Sequence, residues 1–273
     1  MYLLFDIGGT TTRLALSTDG KTLGASKIIP TESNFEKSIE EIKKASAELS
    51  GYQKIISAAG GIKGPLDKNK TTTLNPPNLP DWIGKPFKEE FENIFGCPVY
   101  LENDAVVSAL GEAISGAGIG KKIVAYIGIG TGVGGARIID GKIDVNSLGF
   151  EPGHQIIIPD GNQCGCGGKG HLEAYISGTA LLHLKGIKAE EIKDPEVWEK
   201  VAKYLGVGLN NVTVFWSPDI IVLGGSVMNS IDIEKVRNYL KEYLTIFENK
   251  PEIVLSKHGE SSGLYGALSL LKN

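Results

Sequence analysis

No stretch of this chain stays apolar long enough to cross a membrane; the longest runs, such as Ile123–Ile129 and Ile220–Leu223, are strand-sized. Positive charge is not in excess either. The formal net charge is −4, which offers no electrostatic footprint for nucleic acid or for an anionic membrane surface. Cysteine is scarce: there are three, two of them two positions apart, which makes a poor disulfide framework. A reducing, cytoplasmic setting is therefore expected. No secretory leader is expected, because residues 2–5 already read as a core strand ending at Asp6. The Walker A spacing of a phosphate-binding loop is also missing.

What is present is a repeat. Leu-Phe-Asp-Ile-Gly-Gly-Thr-Thr-Thr-Arg at 4–13 lies without a gap over Ala-Tyr-Ile-Gly-Ile-Gly-Thr-Gly-Val-Gly at 125–134. That register sets Gly9 over Gly130 and Thr10 over Thr131, and further on Asp19-Gly20-Lys21 over Asp140-Gly141-Lys142. Each copy reads as a strand, a glycine-threonine turn, a second strand and an Asp-Gly hairpin signal. Two such hairpins, one per half, suit a polyphosphate held from opposite sides. With 273 residues, 41% hydrophobic and 22% charged, the chain suits one large globular domain or two of modest size.

The remaining pattern alternates. Strands are expected at 2–5, 11–17 and 23–29, then a helix over 34–49 from the spacing of Phe35, Ile39, Ile42, Ala45 and Leu49. A strand at 54–59 precedes a polar, Pro- and Gly-rich span from Gly60 to Pro86, too long for a mere connection and therefore read as a binding loop. A short helix at 87–95, a strand at 99–101 and a helix at 104–114 close the first half, with the seam near 105–120. The second half repeats the scheme with strands at 123–129 and 134–139, a loop-rich insert at 148–170 and a long helix at 195–215. Strand 219–223 ends on Gly224-Gly225, and helix 231–247, strand 252–255 and helix 261–271 finish the chain. Alternation of this kind argues α/β, with two sheets flanked by helices.

Gly130, Gly132 and Gly135 spell a dinucleotide fingerprint after a strand, but that fingerprint needs its glycines to open a helix. The residues after them are Ala-Arg-Ile-Ile-Asp-Gly-Lys-Ile, a β-branched strand running into a hairpin, so the dinucleotide reading is rejected. Glycine turns let main-chain amides face phosphate oxygens, Thr10 and Thr131 add hydroxyls, and Asp6 at a strand end is placed to hold magnesium. Glu102-Asn103-Asp104-Ala105 spans a strand-to-helix handover. A carboxylate there suits a general base, and helix capping by Asn103 or Asp104 is the structural alternative. His154, Cys164, Cys166 and His171 fall within 18 residues. They make a Cys₂His₂ set for tetrahedral zinc, whose four protein ligands leave no position open and so make the ion structural. A glycine loop with incidental cysteines is the alternative. Gly64-Pro65 and Pro77-Asn78 are ordinary turn vocabulary, and the asparagine offers both a donor and an acceptor. Cys97 reads as a small buried filler and His183 as a packing residue.

Together these motifs resemble the ROK family of sugar kinases, within the actin–hexokinase superfamily of ATPases, over essentially the whole chain and in the family's order. Asp6–Thr10 resembles the first phosphate motif, 127–135 the second, and 220–226 the adenosine motif. The segment 102–105 resembles the catalytic segment. The stretch from Glu151 to Glu173 resembles the family signature, with His171 in place of its last cysteine. Thr11 stands where many relatives carry lysine or asparagine.

The resemblance implies two actin-like (ribonuclease H-like) α/β domains, each a mixed sheet flanked by helices, with a cleft between them. They are expected at 1–106 and 107–273, the closing helix 261–272 being free to pack back on the first. It implies ATP with Mg²⁺, bound by Asp6, Gly8, Gly9, Thr10, Thr11, Thr131, Gly132, Gly224 and Gly225, and a structural Zn²⁺ on His154, Cys164, Cys166 and His171. It makes Asp104 the base and assigns the sugar to Gly64, Asn78, Asn103, Asp104, Glu151, His154 and Glu173. The implied activity is phosphorylation of the 6-hydroxyl of glucose or a related hexose, by a homodimer or higher oligomer. N-acetylmannosamine and N-acetylglucosamine kinases share much of the pattern. Sugar-responsive transcriptional regulators of the same family carry an added DNA-binding domain ahead of the first strand.

Overall fold

The computed structural model describes residues 1–76 and 79–271. The chain divides into two compact units. The first comprises Met1–Gly116, Val145–Gly149 and the C-terminal stretch from Ser261; the second comprises Ala117–Asp144 and Phe150–Glu260.

The first unit is built on a five-stranded sheet in the order β3-β2-β1-β4-β5. Its strands are β1 (Tyr2–Ile7), β2 (Thr11–Ser17), β3 (Ser26–Pro30), β4 (Ser57–Ile62) and β5 (Val99–Asn103). β1, β2 and β3 run antiparallel, while β4 and β5 join β1 in parallel. Helix α1 (Phe35–Ser50) starts where the Asn34 carboxamide accepts the Lys37 N–H at 2.9 Å and stops at Gly51 in the left-handed region. Its Ile39, Ile42 and Ala45 stripe faces the sheet. Phe87 and Phe91 of α2 (Phe87–Phe95) join Phe5, Phe35 and Trp82 in an aromatic core. Trp82 is fully buried and its indole N–H donates to the Glu32 carbonyl, so it anchors the long polar span to that core.

Two helices cover the sheet's other face, α3 (Asp104–Ser115) and the last helix, α8 (Ser262–Leu270). They cross closely because small residues meet there. A Cβ on Gly266 would lie 1.8 Å from the Val107 carbonyl oxygen, and one on Gly111 would lie 2.2 Å from that of Ser262. Gly266→Ala should therefore destabilise the protein by about 3 kcal/mol, read from the shift in denaturation midpoint. A variant as stable as the parent would mean that the helices separate without cost.

The second unit repeats the plan. Its sheet has the order β10-β9-β6-β7-β8, with β6 (Ile123–Ile129), β7 (Val133–Ile139), β8 (Lys142–Ile143), β9 (Ile220–Gly224) and β10 (Glu252–Leu255). Read from the other end this is β8-β7-β6-β9-β10, the counterpart of the first sheet with the same parallel and antiparallel pairs. The duplication read in residues 4–21 and 125–142 is thus a duplication of topology. Helices α4 (Glu173–Ile176), α5 (Gly178–Lys185), α6 (Pro195–Trp216) and α7 (Ile233–Tyr243) complete the unit. Leu205, Leu209, Val236 and Leu240 pack with Ile127, Ile221 and Leu223 in its core. No helix among the described residues is long and apolar enough to cross a membrane.

Four local expectations change. β4 begins at Ser57, three residues later than the apolar run suggests, because the N-terminal residue takes up the preceding stretch. Ile56 donates to the Met1 carbonyl and the Met1 ammonium to that of Lys54. Gly60 and Gly61, expected to open a loop, are strand residues; a Cβ on Gly60 would sit 2.0 Å from the Phe5 carbonyl oxygen. The first Asp-Gly pair does not make a two-residue turn as Asp140-Gly141 does. The Asp19 carboxylate instead accepts from the Lys21 and Thr22 amides, which hold it far below the usual carboxylate range, and β3 begins only at Ser26. His183 is exposed on α5, not packed, and Leu182 and Leu184 beside it are exposed as well, so the apolar neighbours that suggested packing are not core residues.

Candidate active site

In the first unit, the register of the sheet brings the acidic residues into one row. Arg13, Asp6, Gly61 and Glu102 stand level across β2, β1, β4 and β5. Asp6 and Glu102 are thus two strand spacings apart, roughly 10 Å. Gly61 between them admits the start of α3: a Cβ there would fall 2.8 Å from the Asp104 Cα. On the other side, a Cβ on Gly263 of α8 would strike the Asp6 carboxylate at 2.7 Å. The turn between β1 and β2 is closed by the Gly8 amide on the Thr11 carbonyl at 3.0 Å and tied to β3 by the Thr31 amide on the Thr10 carbonyl at 3.0 Å.

Asn103 and Asp104 share the helix start. The Asn103 carboxamide oxygen accepts from Ala105 and Val106, making it the N-cap of α3, and its nitrogen donates to the Gly64 carbonyl at 2.9 Å. That amide carries two hydrogens, so one remains for a ligand. Asp104 accepts the Ala105 amide on Oδ1 and faces Lys63 Nζ with Oδ2 at 3.6 Å. Its side chain is 18% exposed, pinned at its base yet reachable. Glu102 beside it is buried and paired with Lys70. Asn78 lies outside the described residues.

In the second unit, the turn between β6 and β7 is closed by the Gly130 amide on the Gly132 carbonyl at 2.9 Å. It is braced by α5, whose Gly178 and Thr179 amides donate to the carbonyls of Gly130 and Thr131. Glu173 reaches the same turn, where its Oε2 accepts the Val133 amide at 2.7 Å. A Cβ at 132 would meet that oxygen at 2.5 Å, so any larger residue there would push the Glu173 carboxylate off the turn. Gly224 and Gly225 end β9 beside it. Side chains at these positions would meet the Tyr126 hydroxyl at 2.3 Å and the Ile129 carbonyl at 2.3 Å, and Gly225 has φ of 89°. The chain therefore stays bare on this rim, which suits the approach of a flat ligand.

His154, Cys164, Cys166 and His171 converge in the same unit, their ligand atoms all within 4.8 Å of one another. Cys166 Sγ lies 3.3 Å from His171 Nδ1, Cys164 Sγ lies 3.8 Å from His154 Nδ1, and the two Nδ1 atoms are 3.4 Å apart. A tetrahedral zinc with ordinary bond lengths has edges of roughly 3.3–3.8 Å, and these three edges fall in that range while the whole set stays within 4.8 Å, so the residue types suit that ion. Burial pushes the Cys164 thiol up to about 11, with the Cys166 sulfur and the Glu173 carboxylate adding to the shift. A bound divalent cation reverses that preference, because a coordinating thiol is deprotonated. His154 turns its other nitrogen, Nε2, toward Glu151 Oε2 at 3.9 Å, and Glu173 Oε1 stands 3.8 Å from Cys164 Sγ. Both glutamates thus border the cluster.

The model of the ROK family matches residues 2–273, nearly the entire chain. The chain belongs to the ROK family. Among relatives of this ROK protein, a glucokinase from Streptomyces coelicolor is 28% identical over 98% of this chain and 96% of its own length. An N-acetyl-D-glucosamine kinase from Vibrio parahaemolyticus is 31% identical, with 99% of each covered. A putative xylose repressor from Caldicellulosiruptor also matches, at 30% over 85% of this chain and 65% of the repressor. Among solved structures, the ROK family glucokinase from Streptomyces griseus in complex with glucose and AMPPNP superposes with a TM-score of 0.85, at 29% identity and 98% of both chains. This agreement gives the ROK protein the two-domain, actin-like sugar-kinase fold, two mixed sheets flanked by helices.

Sequence patterns give no sign of two members of the first unit's cluster, Lys63 and Lys70. Both sit in the polar span read as a binding loop, but only the fold turns them toward the segment 102–104.

Proposed function

We propose that this protein is an ATP-dependent sugar kinase that transfers the γ-phosphoryl group to the 6-hydroxyl of glucose or a closely related hexose. The observation that carries the proposal is the duplicated hairpin sheet, each copy ending in a glycine-threonine turn, together with Asp104 at the start of α3. The full-length likeness to a glucokinase holding glucose and an ATP analogue supports it.

In this reading Asp104 takes the hydroxyl proton and Asn103 holds the sugar. Gly64 and Asn78 add sugar contacts from the first unit, and Glu151, His154 and Glu173 from the second. The amides and hydroxyls at Gly9, Thr10, Thr11, Thr131 and Gly132 face phosphate oxygens, Gly8, whose own amide closes the turn on the Thr11 carbonyl, leaves the chain bare for their approach, and Gly224 and Gly225 leave room for adenosine. Asp6 would hold Mg²⁺, which supplies charge neutralisation on the phosphates. His154, Cys164, Cys166 and His171 would hold Zn²⁺, which orders the loop carrying the two glutamates. Little covalent work falls to such a protein, since phosphoryl transfer depends on positioning and on spreading charge.

The second reading is an N-acetylhexosamine kinase, favoured by the Vibrio relative. A sugar-sensing regulator without catalysis is a third, of a different class, which the repressor relative keeps in view. One panel separates them: ADP release with glucose, mannose, fructose, N-acetylglucosamine and N-acetylmannosamine, using ATP and then polyphosphate as donor. Fastest turnover with glucose and ATP is expected. Sugar binding without any turnover would leave only the sensing role.

A further inference from the structure

The two glycine-threonine turns are held in different ways. In the first unit the edge strand does it. β3 runs beside β2 as far as the turn, pairing Pro30 with Thr11, and the Thr31 amide donates to the Thr10 carbonyl at 3.0 Å. In the second unit the corresponding edge strand is too short. Among the described residues β8 pairs only with Ile138 and Ile139, at the far end of β7, and does not reach Val133, where β7 begins. Residues 173–179 take over the task. They form one compact piece in which the short α4 runs into the cap of α5 at Ser177, whose hydroxyl accepts the Ala180 amide at 3.1 Å. Gly178 and Thr179 donate to the carbonyls of Gly130 and Thr131 at 2.8 and 3.2 Å, and Glu173 Oε2 accepts the Val133 amide at 2.7 Å. Val133 is 2% exposed, so water is poorly placed to replace that acceptor. The segment Pro152–His154 lies against the same residue: a Cβ on Gly153 would stand 2.2 Å from the Val133 carbonyl oxygen.

We propose that Glu173 is a positioning residue for the nucleotide phosphates, fixing the turn 130–133 through the Val133 amide in addition to any contact with the sugar. The inference rests on the kinase reading, in which Thr131 and Gly132 face phosphate oxygens. Two effects of the carboxylate oppose each other. A Cβ on Gly132 would meet Oε2 at 2.5 Å, so the negative charge lies against the turn itself. That charge repels a polyphosphate. The hydrogen bond to Val133 acts in the other direction, because a turn already fixed has less freedom to lose when the ligand arrives. A glutamine separates the two effects. Its carboxamide oxygen can still accept from Val133 while the charge is gone. An alanine removes both.

The test titrates the parent, Glu173→Gln and Glu173→Ala by calorimetry with AMPPNP–Mg and, separately, with adenosine, no sugar being present. Without sugar, any sugar contact of Glu173 drops out of the measurement. Adenosine reports on the rim at Gly224 and Gly225 without engaging the phosphate turn. Glu173→Ala should weaken AMPPNP–Mg roughly tenfold and leave adenosine within about twofold of the parent, while Glu173→Gln should bind AMPPNP–Mg at least as tightly as the parent. Glu173→Met, which keeps the length of the side chain without an acceptor, carries the same expectation should the alanine variant not fold. Unchanged AMPPNP–Mg affinity in the variant that lacks an acceptor overturns the proposal. So does an equal loss for adenosine, which marks general damage to the unit. A glutamine variant as weak as the alanine one overturns it as well, since the accepted bond would then not be what matters. If the parent neither binds AMPPNP–Mg nor releases ADP from ATP with any sugar of the panel, the kinase reading falls and takes this inference with it. If the parent does both and the alanine variant matches its AMPPNP–Mg affinity, only the positioning role falls.

Discussion

Asp104→Asn should lower kcat by roughly 10²–10⁴-fold while sugar affinity stays within about threefold of the parent's. The expectation comes from where the carboxylate is fixed. One oxygen accepts the Ala105 amide at 2.9 Å, and the other points toward Lys63. An asparagine carboxamide can keep the bond to Ala105 through its oxygen, so the start of α3 and the cap at Asn103 survive the change. What is lost is the ability to accept a proton. Steady-state kinetics paired with calorimetric titration of the sugar makes the separation: turnover collapses and binding stays. Near-parental turnover would remove Asp104 from the chemistry. Loss of binding and turnover together would instead point to a purely positioning role at the helix start.

Stripping the metal should have the other large effect. We expect about one zinc per chain by elemental analysis and, after treatment with a strong chelator, a lower thermal midpoint with sugar affinity weakened roughly 10–100-fold. Cys164→Ser should reproduce both losses. The cause is geometric. The four donor atoms converge within 4.8 Å of one another, with His154 turned toward Glu151 by its second nitrogen and Glu173 close to Cys164. Removing the ion leaves two imidazoles and two thiols crowded without a centre, and the two glutamates lose the frame that aims them. Active protein that contains no stoichiometric metal would sink the zinc assignment, and unchanged sugar affinity after chelation would confine the ion to stability.

Much of the fold was legible because the signal was repeated. Residues 4–17 and 125–138 carry the same order of apolar strand, glycine-threonine turn and second strand, and the two sheets match strand for strand. The four-ligand cluster was equally readable, since the residue types and their spacing already limit what they can bind. Gly60-Gly61 misled for a physical reason. Local propensity reads a glycine pair as a turn, whereas here Phe5 and the start of α3 press on the strand from either side and leave no space for a side chain. Asp19 deceived similarly: its own carboxylate, bonded to Lys21 and Thr22, stops the tight turn that its neighbour Gly20 advertises. Lys63 and Lys70 had no local signature, because what singles them out is the pairing of β4 with β5 across 40 residues of chain.

The two halves of the Glu173 carboxylate face different partners, the Val133 amide on one side and the Cys164 sulfur on the other. A single rigid group thus serves as hinge pin for the loop and for the turn, so that neither can relax without tugging its neighbour. Disorder introduced at one is transmitted to the other through a single carboxylate carbon, and order gained at one lowers the entropy that the other still has to surrender.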